Sequence, residues 1–221
     1  ADADFKHSVN ELVDGAFFNS GQSCCGIERI YVHQSLYSDF VEAYVEQVKR
    51  YKLANPLLAE TTLGPVVKHS AAEWVRQQTI DAIAKGAKTC IDTAEFPNAN
   101  DGNAYLAPQV LIDVDHTMSV MTEESFGPVV GIMAVKDDNE AVRLMNDSNL
   151  GLTASLWTQD QAVAENLGEQ LETGTVFMNR CDYLDPALAW TGVKNTGRGA
   201  TLSELGYQQL TQAKSFHLKI L

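Results

Sequence analysis

The sequence predicts an α/β domain built on an open, mostly parallel sheet with helices on both faces. Val129 to Val135 is an almost continuous apolar run, which is typical of a strand buried on both faces of a parallel sheet. Helical and strand-like patterns alternate through the middle and later parts of the chain, as they do in βαβ units. With 221 residues, 45% of them hydrophobic, the chain is long enough for one domain with a substantial core.

The first quarter of the chain carries three predicted elements. Residues 4–19 favour a helix, because apolar residues recur there at steps of three and four. Residues 27–32 alternate like a strand, and the next helix carries an apolar stripe from Phe40 to Val48. We expect Ser35 or Ser38 to cap this second helix, because a serine hydroxyl can accept a hydrogen bond from a free backbone amide.

The later elements continue the alternation of helices and strands. Strands are expected at 89–91, 110–112, 129–135, 152–157 and 175–178, and helices at 70–84, from Asp137 or Asp138 onward, and at 160–171. The last residues, Lys214 to Lys219, alternate like an exposed strand. Because exposed strands invite pairing with another chain, this segment is a predicted oligomerisation strand.

Charge and cysteine usage argue against several functions. The chain has 16 basic and 29 acidic residues, a net charge of −13, with the acidic residues scattered; nucleic acid and anionic membranes are therefore poor partners. No apolar run approaches the roughly 20 residues of a membrane span. The cysteines at 24, 25, 90 and 181 lack metal-ligand spacing and resemble cytosolic thiols, so we expect a cytoplasmic protein without a metal site.

The segment FFNSGQSCCG, from Phe17 to Gly26, is the first candidate for chemistry. We expect it to form a tight turn between the first helix and the first strand, with small residues on both sides of Cys24. In such a turn, the backbone amide of the cysteine can point at the carbonyl that its sulfur attacks, so one residue supplies the nucleophile and an oxyanion donor. The alternative is a buried, inert thiol, which is the commoner role of a free cysteine.

The segment TEESFGPV, from Thr122 to Val129, is the second candidate. Adjacent carboxylates point in different directions in a loop, so at most one of Glu123 and Glu124 should face a given site. A carboxylate can accept hydrogen bonds from both hydroxyls of a ribose, and Phe126 could pack against a flat ring. By spacing alone, however, such a pair is more typical of a solvated loop.

Both segments resemble motifs of the aldehyde dehydrogenase superfamily, and the likeness extends, with gaps, from about residue 2 to about residue 219. In that family the nucleophile is the cysteine of a Gly-Gln-x-Cys motif, which follows an aromatic pair, an Asn and one variable residue. The resemblance therefore implies that Cys24, not Cys25, is the nucleophile. Phe18, Ser23 and Cys25 lie beside it in the motif and are candidates for substrate contact or support.

The family's Glu-x-Phe-Gly-Pro motif implies roles for two further residues. Its Glu binds the nicotinamide ribose and its Phe flanks the nicotinamide, which correspond to Glu124 and Phe126 here. The segment from Gly174 to Asn179 resembles Gly-Thr-x-x-x-Asn, whose Asn supports the catalytic loop, so Asn179 is expected to act behind the site.

The resemblance implies oxidation of a small-molecule aldehyde to a carboxylic acid with NAD or NADP, through a thiohemiacetal and a thioester on Cys24. The family draws its general base, its second oxyanion donor and its Rossmann-type half from upstream segments, and no Gly-rich dinucleotide fingerprint occurs here. We therefore expect residues 1–213 to be the catalytic domain of a longer enzyme, inactive alone, with the NAD(P)-binding domain absent from this chain. The family's tail joins subunits, which implies that residues 214–221 assemble a dimer or tetramer.

Two other functions stay open at the level of sequence. A papain-like cysteine hydrolase would use Gln22 as an oxyanion donor, but it needs a His–Asn pair downstream, and the histidines occur in unconvincing contexts. A non-catalytic assembly domain would use the terminal strand alone. The identity of the aldehyde is also open, because residues 189–192 read AWTG where the family has Pro-Phe-Gly-Gly near the substrate tunnel.

Overall fold

The computed structural model describes residues 2–100 and 102–221 and confirms the predicted α/β class. The helices are α1 (Phe5–Phe17), α2 (Tyr37–Val48), α3 (His69–Ala84), α4 (Asp138–Asn146), α5 (Gln161–Gly168) and α6 (Ser203–Gln209). The strands are β1 (Arg29–His33), β2 (Lys88–Thr89), β3 (Gln109–Ile112), β4 (Val129–Val135), β5 (Leu150–Gly151), β6 (Thr153–Leu156), β7 (Thr175–Met178), β8 (Trp190–Thr191), β9 (Val193–Lys194) and β10 (Ala200–Thr201). Short 3-10 helices occupy Phe18–Gly21, Thr93–Glu95 and Ser119–Met121.

The principal sheet has the strand order β1-β4-β3-β2. Strands β1 and β3 both pair with β4 in parallel, and the short β2 pairs with β3 in the antiparallel direction. The predicted mostly parallel sheet is thus confirmed, and β4 lies inside it, as its apolar sequence indicates.

Helices cover both faces of this sheet, because successive side chains of β4 point to opposite sides. Val130 and Ile132 are fully buried in a cluster that includes apolar residues of α1 and α2. Val129 instead packs in a second cluster, with Val75 and Ala82 of α3. The central strand is therefore buried on both faces, and the predicted layer arrangement is confirmed.

A second, smaller sheet pairs β6 with β7 in parallel. Its apolar cluster contains Ala154 and Leu156 of β6 together with Ala164 of α5 and Leu171. Within the two described ranges, β1 pairs with β4 and β6 pairs with β7. Strands β1 and β6 therefore each have one edge without a partner strand among the described residues.

Some local predictions were wrong. Neither Ser35 nor Ser38 caps α2; Leu36 precedes the helix without a side-chain hydrogen bond, and the Ser35 hydroxyl bonds to Nδ1 of His33 at 2.8 Å. Residues 211–221 have no helix or strand in this chain and lie exposed, so their pairing with another chain stays a prediction. No helix in the described ranges is long and apolar enough to cross a bilayer.

Candidate active site

The turn after α1 is built by two residues in the left-handed region. Asn19 and Ser20 have φ of 50° and 58°, which reverses the backbone direction directly after the helix. The side-chain amide of Asn19 donates to the Gln22 carbonyl at 3.0 Å, and the side-chain amide of Gln22 donates to the Asn19 carbonyl at 3.0 Å. This reciprocal pair closes the turn that leads to Cys24.

Contacts with the loop before α3 hold the turn in place. The Ser20 hydroxyl donates to the Gly64 carbonyl at 2.8 Å, and the Gln22 side-chain oxygen accepts from the Val67 amide at 2.7 Å. On the other side, the Ile27 amide donates to the Gly15 carbonyl of α1 at 2.9 Å. The segment carrying Cys24 is therefore fixed at both ends.

The two adjacent cysteines have opposite environments. Cys24 is exposed, whereas Cys25 is 5% exposed and its thiol donates to Oδ1 of Asp182 at 2.7 Å. Burial, followed by the hydrogen bond to Asp182, raises the pKa of Cys25 to about 12. Within the described residues, the Cys24 amide donates no hydrogen bond to another group, so it is free for an incoming oxygen.

The other two cysteines are also poor nucleophiles. Burial, followed by the nearby carboxylate of Glu11, raises the pKa of Cys181 to about 12. Burial likewise raises the pKa of Cys90. A reactive cysteine needs its thiolate form and access to solvent, and Cys24 is the cysteine whose side chain is exposed.

The loop before β4 presents Glu124 and Phe126 outward and buries the residue between them. Glu124 is exposed and the Phe126 side chain is 39% exposed, while Ser125 is 3% exposed. Phe126 has φ of 54°, in the left-handed region. The Glu124 carbonyl accepts from the Trp74 indole of α3 at 3.1 Å, which holds the loop from one side.

The thiol turn and this loop touch through two glycines. Gly21 has φ of 72°, and a Cβ added to it would lie 2.2 Å from the carbonyl oxygen of Gly127. Only a residue without a side chain allows this backbone approach. The spacing between the segment of Cys24 and the segment of Glu124 is thus set by direct main-chain contact.

A cavity of about 900 Å³ joins the two segments. Cys24 and Glu124 both line it, together with residues of β1 and β6. Glu123 lines it as well, so the expectation that at most one of the two adjacent carboxylates faces the site was wrong. Phe126, Phe18, Ser23, Cys25 and Asn179 lie outside its lining. The structure therefore brings together the predicted nucleophile and the predicted ribose-binding carboxylate, and places the other candidates around them.

Asn179 lies outside the cavity lining, and its hydrogen bonds go to Thr158 and His7. Its side chain exchanges two hydrogen bonds with the main chain of Thr158, at 3.1 and 2.7 Å, and its carbonyl pairs with Nε2 of His7 at 2.9 Å. These bonds fix the start of the segment in which Asp182 contacts Cys25. Of the remaining candidates, Phe18 is 57% exposed. The hydroxyl of Ser23 lies 3.4 Å from the Cys25 sulfur.

Comparison with known proteins identifies the family of this chain. A model of the aldehyde dehydrogenase family matches residues 1–216, nearly the whole chain. The chain belongs to the aldehyde dehydrogenase family. It is 34% identical to the NADP(+) succinate-semialdehyde dehydrogenase of Mycobacterium avium (strain 104) over 96% of this chain and 44% of that protein. It is 32% identical to aldehyde dehydrogenase 1A1 of Oryctolagus cuniculus over 100% of this chain and 44% of that protein.

Solved aldehyde dehydrogenase structures share its fold. Lactaldehyde dehydrogenase from Escherichia coli superimposes with a TM-score of 0.86 at 33% identity, over 93% of this chain and 43% of that one. Betaine aldehyde dehydrogenase from Staphylococcus aureus, in complex with NAD+, superimposes with a TM-score of 0.86 at 31% identity, over 94% and 41%. This chain thus spans less than half the length of the aldehyde dehydrogenases that it matches.

Sequence reasoning missed the contacts of two side chains that shape this candidate site. Asp182, which accepts the Cys25 thiol, lies 157 residues beyond it. Glu28, whose carboxylate accepts from the amides of Ser125 and Phe126, lies 97 and 98 residues before them. The family resemblance makes Asp182 a candidate for lining the substrate tunnel, but no motif indicates its contact with Cys25, and no motif marks Glu28.

The contacts of the histidines do not match a papain-like site in this aldehyde dehydrogenase chain. Within residues 2–100 and 102–221, no histidine has Cys24 as a hydrogen-bond partner. His116, for example, bonds to Tyr31 and Asp147, both at 2.8 Å. In the same described ranges, no three His, Cys, Asp or Glu side chains are grouped so that they could hold a metal ion.

Proposed function

We propose that this chain is the catalytic-domain portion of an NAD(P)-dependent aldehyde dehydrogenase, with Cys24 as its nucleophile. One observation carries the proposal: the exposed Cys24 thiol, with a free backbone amide, shares a cavity with the exposed Glu124 carboxylate. The raised pKa values of Cys25, Cys90 and Cys181 support the choice among the four thiols.

The chemistry begins with addition of the Cys24 sulfur to the aldehyde carbonyl, which forms a carbon–sulfur bond and leaves negative charge on oxygen. The free Cys24 amide would donate a hydrogen bond to that oxygen and so lower the barrier. Loss of hydride from the same carbon converts the thiohemiacetal into a thioester, and water then releases the carboxylic acid and restores the thiol. By the family resemblance, we expect a segment outside this chain to supply the base for this last step.

The exposed groups beside the cavity fit the nicotinamide end of a dinucleotide. The Glu124 carboxylate is exposed and would accept hydrogen bonds from the ribose hydroxyls, while the half-exposed Phe126 ring would pack beside the flat nicotinamide. When bound, the nicotinamide would accept the hydride that leaves the substrate. The named relatives include an NADP(+) enzyme and an NAD+ complex, so both cofactors are candidates.

We further propose a small-molecule aldehyde as substrate and a homo-oligomer, dimer or tetramer, as the working form. We also propose a cytoplasmic location, which the sequence context of the four cysteines favours. The aldehydes named for the relatives, succinate semialdehyde, lactaldehyde and betaine aldehyde, define a first set to try.

The deciding experiment measures NADH or NADPH formation by the full-length protein with these aldehydes. Cys24→Ala should lower kcat/KM by at least about 10⁴-fold, because the nucleophile is lost. Cys90→Ala is the matched control and should stay close to wild type, since Cys90 lies outside the cavity lining. Full activity in Cys24→Ala would reject the proposal, and steady-state turnover by the 221-residue chain alone would reject its dependence on a cofactor-binding half.

A further inference from the structure

Glu28 connects the two halves of the candidate site. It lies four residues after Cys24, on the way into β1. Its Oε2 accepts from the Ser125 amide at 2.7 Å, and its Oε1 accepts from the Phe126 amide at 3.1 Å. One carboxylate thus holds two consecutive amides of the loop that presents Glu124 and Phe126.

This carboxylate is in an unfavourable place for a purely stabilising role. Glu28 as a whole residue is half-buried, but its carboxylate lies in the interior. This burial raises the pKa of the carboxyl group, although the two amide hydrogen bonds lower it, and the neighbouring charge of Glu124 also raises it. Among the described residues, no lysine or arginine forms an ion pair with Glu28. A buried charge without a counter-ion lowers stability, so a neutral side chain would serve structure alone better.

The adjacent Arg29 does not offset that charge. Its guanidinium donates to the Met121 carbonyl at 2.9 Å and to the Met145 carbonyl at 3.1 Å. Both carboxylate oxygens of Glu28 therefore accept hydrogen bonds from the loop. Phe126 in this loop has φ of 54°, a strained conformation that a pair of fixed amides can stabilise.

We propose that Glu28 is a positioning residue that fixes Glu124 and Phe126, and hence the nicotinamide end of the cofactor, relative to Cys24. The inference rests on the proposed function. Glu28 works with two other restraints on the same loop, the Trp74 indole on the Glu124 carbonyl and the close approach of Gly21 to Gly127. It differs from them in joining the loop to the thiol turn through side-chain hydrogen bonds, which a single substitution can remove.

The test compares Glu28→Gln with the control Glu42→Gln in the full-length enzyme. Glu28→Gln keeps the size of the side chain but offers one acceptor oxygen, so hydrogen exchange at the Ser125 and Phe126 amides should become about ten-fold faster or more. Hydride transfer should slow by about 10- to 100-fold, seen as a larger isotope effect with aldehyde deuterated at the carbonyl carbon. Alkylation of Cys24 by iodoacetamide should stay within about two-fold of wild type, because its turn is held by other bonds.

The control, exposed on α2 and outside the cavity lining, should change none of these readouts. Exchange at the wild-type rate in Glu28→Gln, or faster exchange with unchanged hydride transfer, would overturn the inference and leave the proposed function intact. A wild-type protein without dehydrogenase activity would overturn the proposed function and, with it, the catalytic role of Glu28. If Glu28→Gln does not fold, Glu28→Asp replaces it: its shorter side chain can reach at most one amide, so a smaller effect in the same direction is required.

Discussion

At the scale of single residues, the turn after α1 gives two neighbouring thiols different chemistry. Cys24 points to solvent, while Cys25 is buried and donates to Asp182, 157 residues away. Burial favours the neutral thiol over the thiolate, because a charge is poorly solvated in the interior. The family motif indicates Cys24, and the environments of the two side chains supply the physical reason.

This contrast predicts the order in which the cysteines are alkylated. A thiol with a pKa of about 12, as for Cys25 and Cys181, is ionised to only about one part in ten thousand at pH 8. We expect iodoacetamide at pH 8 to label Cys24 first and the two buried cysteines far more slowly, as read by mass spectrometry of peptides from the folded protein. Equal labelling rates in the folded protein, with urea-unfolded protein as the control, would contradict the assignment.

The buried carboxylate of Glu28 predicts a pH dependence of stability. Burial raises its folded-state pKa above the ordinary value of 4.5, so the folded state binds the proton more tightly than the unfolded state. Stability from this group is therefore full below pH 4.5 and is lost as the pH rises through the folded-state pKa. Glu28→Gln does not titrate, so its free energy of unfolding minus that of wild type should increase with pH above 4.5 in urea titrations. A difference that stays flat or decreases would show that the carboxylate is not destabilised by burial.

At the scale of elements, the contact between the thiol turn and the loop before β4 depends on Gly21. Gly21→Ala places a Cβ 2.2 Å from the Gly127 carbonyl oxygen and forces alanine to φ of 72°. We expect a loss of roughly 2 to 4 kcal/mol in the free energy of unfolding, from backbone strain and overpacking together. Gly64→Ala is the matched control, since its Cβ would meet Pro56 at an ordinary 3.9 Å. Chemical denaturation of both variants measures the difference, and equal stabilities would refute this account of the turn.

The elements that sequence predicts well are those whose pattern is set by local burial. The strand at residues 129–135 matches the prediction, and the helix predicted from residue 70 begins at His69, because a run of apolar residues or a helical stripe reports the surroundings of its own residues. The predicted strand at 89–91 is displaced to Lys88–Thr89, where antiparallel pairing with β3 decides its position. Helix α6 was missed, because six of its seven residues are not buried and it carries no clear apolar stripe.

At the scale of the whole molecule, the candidate site could be predicted only in part. Motif resemblance located Cys24 and Glu124 separately, and the structure places both on one cavity. The bonds of Glu28 to the loop and of Cys25 to Asp182 cross 97 to 157 residues, and they depend on how β1 and β4 pair and where the chain returns after β7. Such contacts follow from topology, so periodicity and spacing do not reveal them.

The exposed C-terminal segment predicts how the full-length protein assembles. Phe216, Leu218 and Ile220 alternate along it and are 74%, 83% and 98% exposed, which leaves an apolar edge in water. Such a segment is stabilised by pairing with another chain, since pairing satisfies its backbone groups and buries these side chains. Ending the full-length protein after Ala213 should therefore lower its mass in light scattering to that of a smaller assembly. The control replaces Phe216, Leu218 and Ile220 by Ser in the full-length protein, which keeps the backbone of the segment. A reduced mass in this control assigns the association to these side chains. An unchanged mass in both variants excludes the segment from assembly.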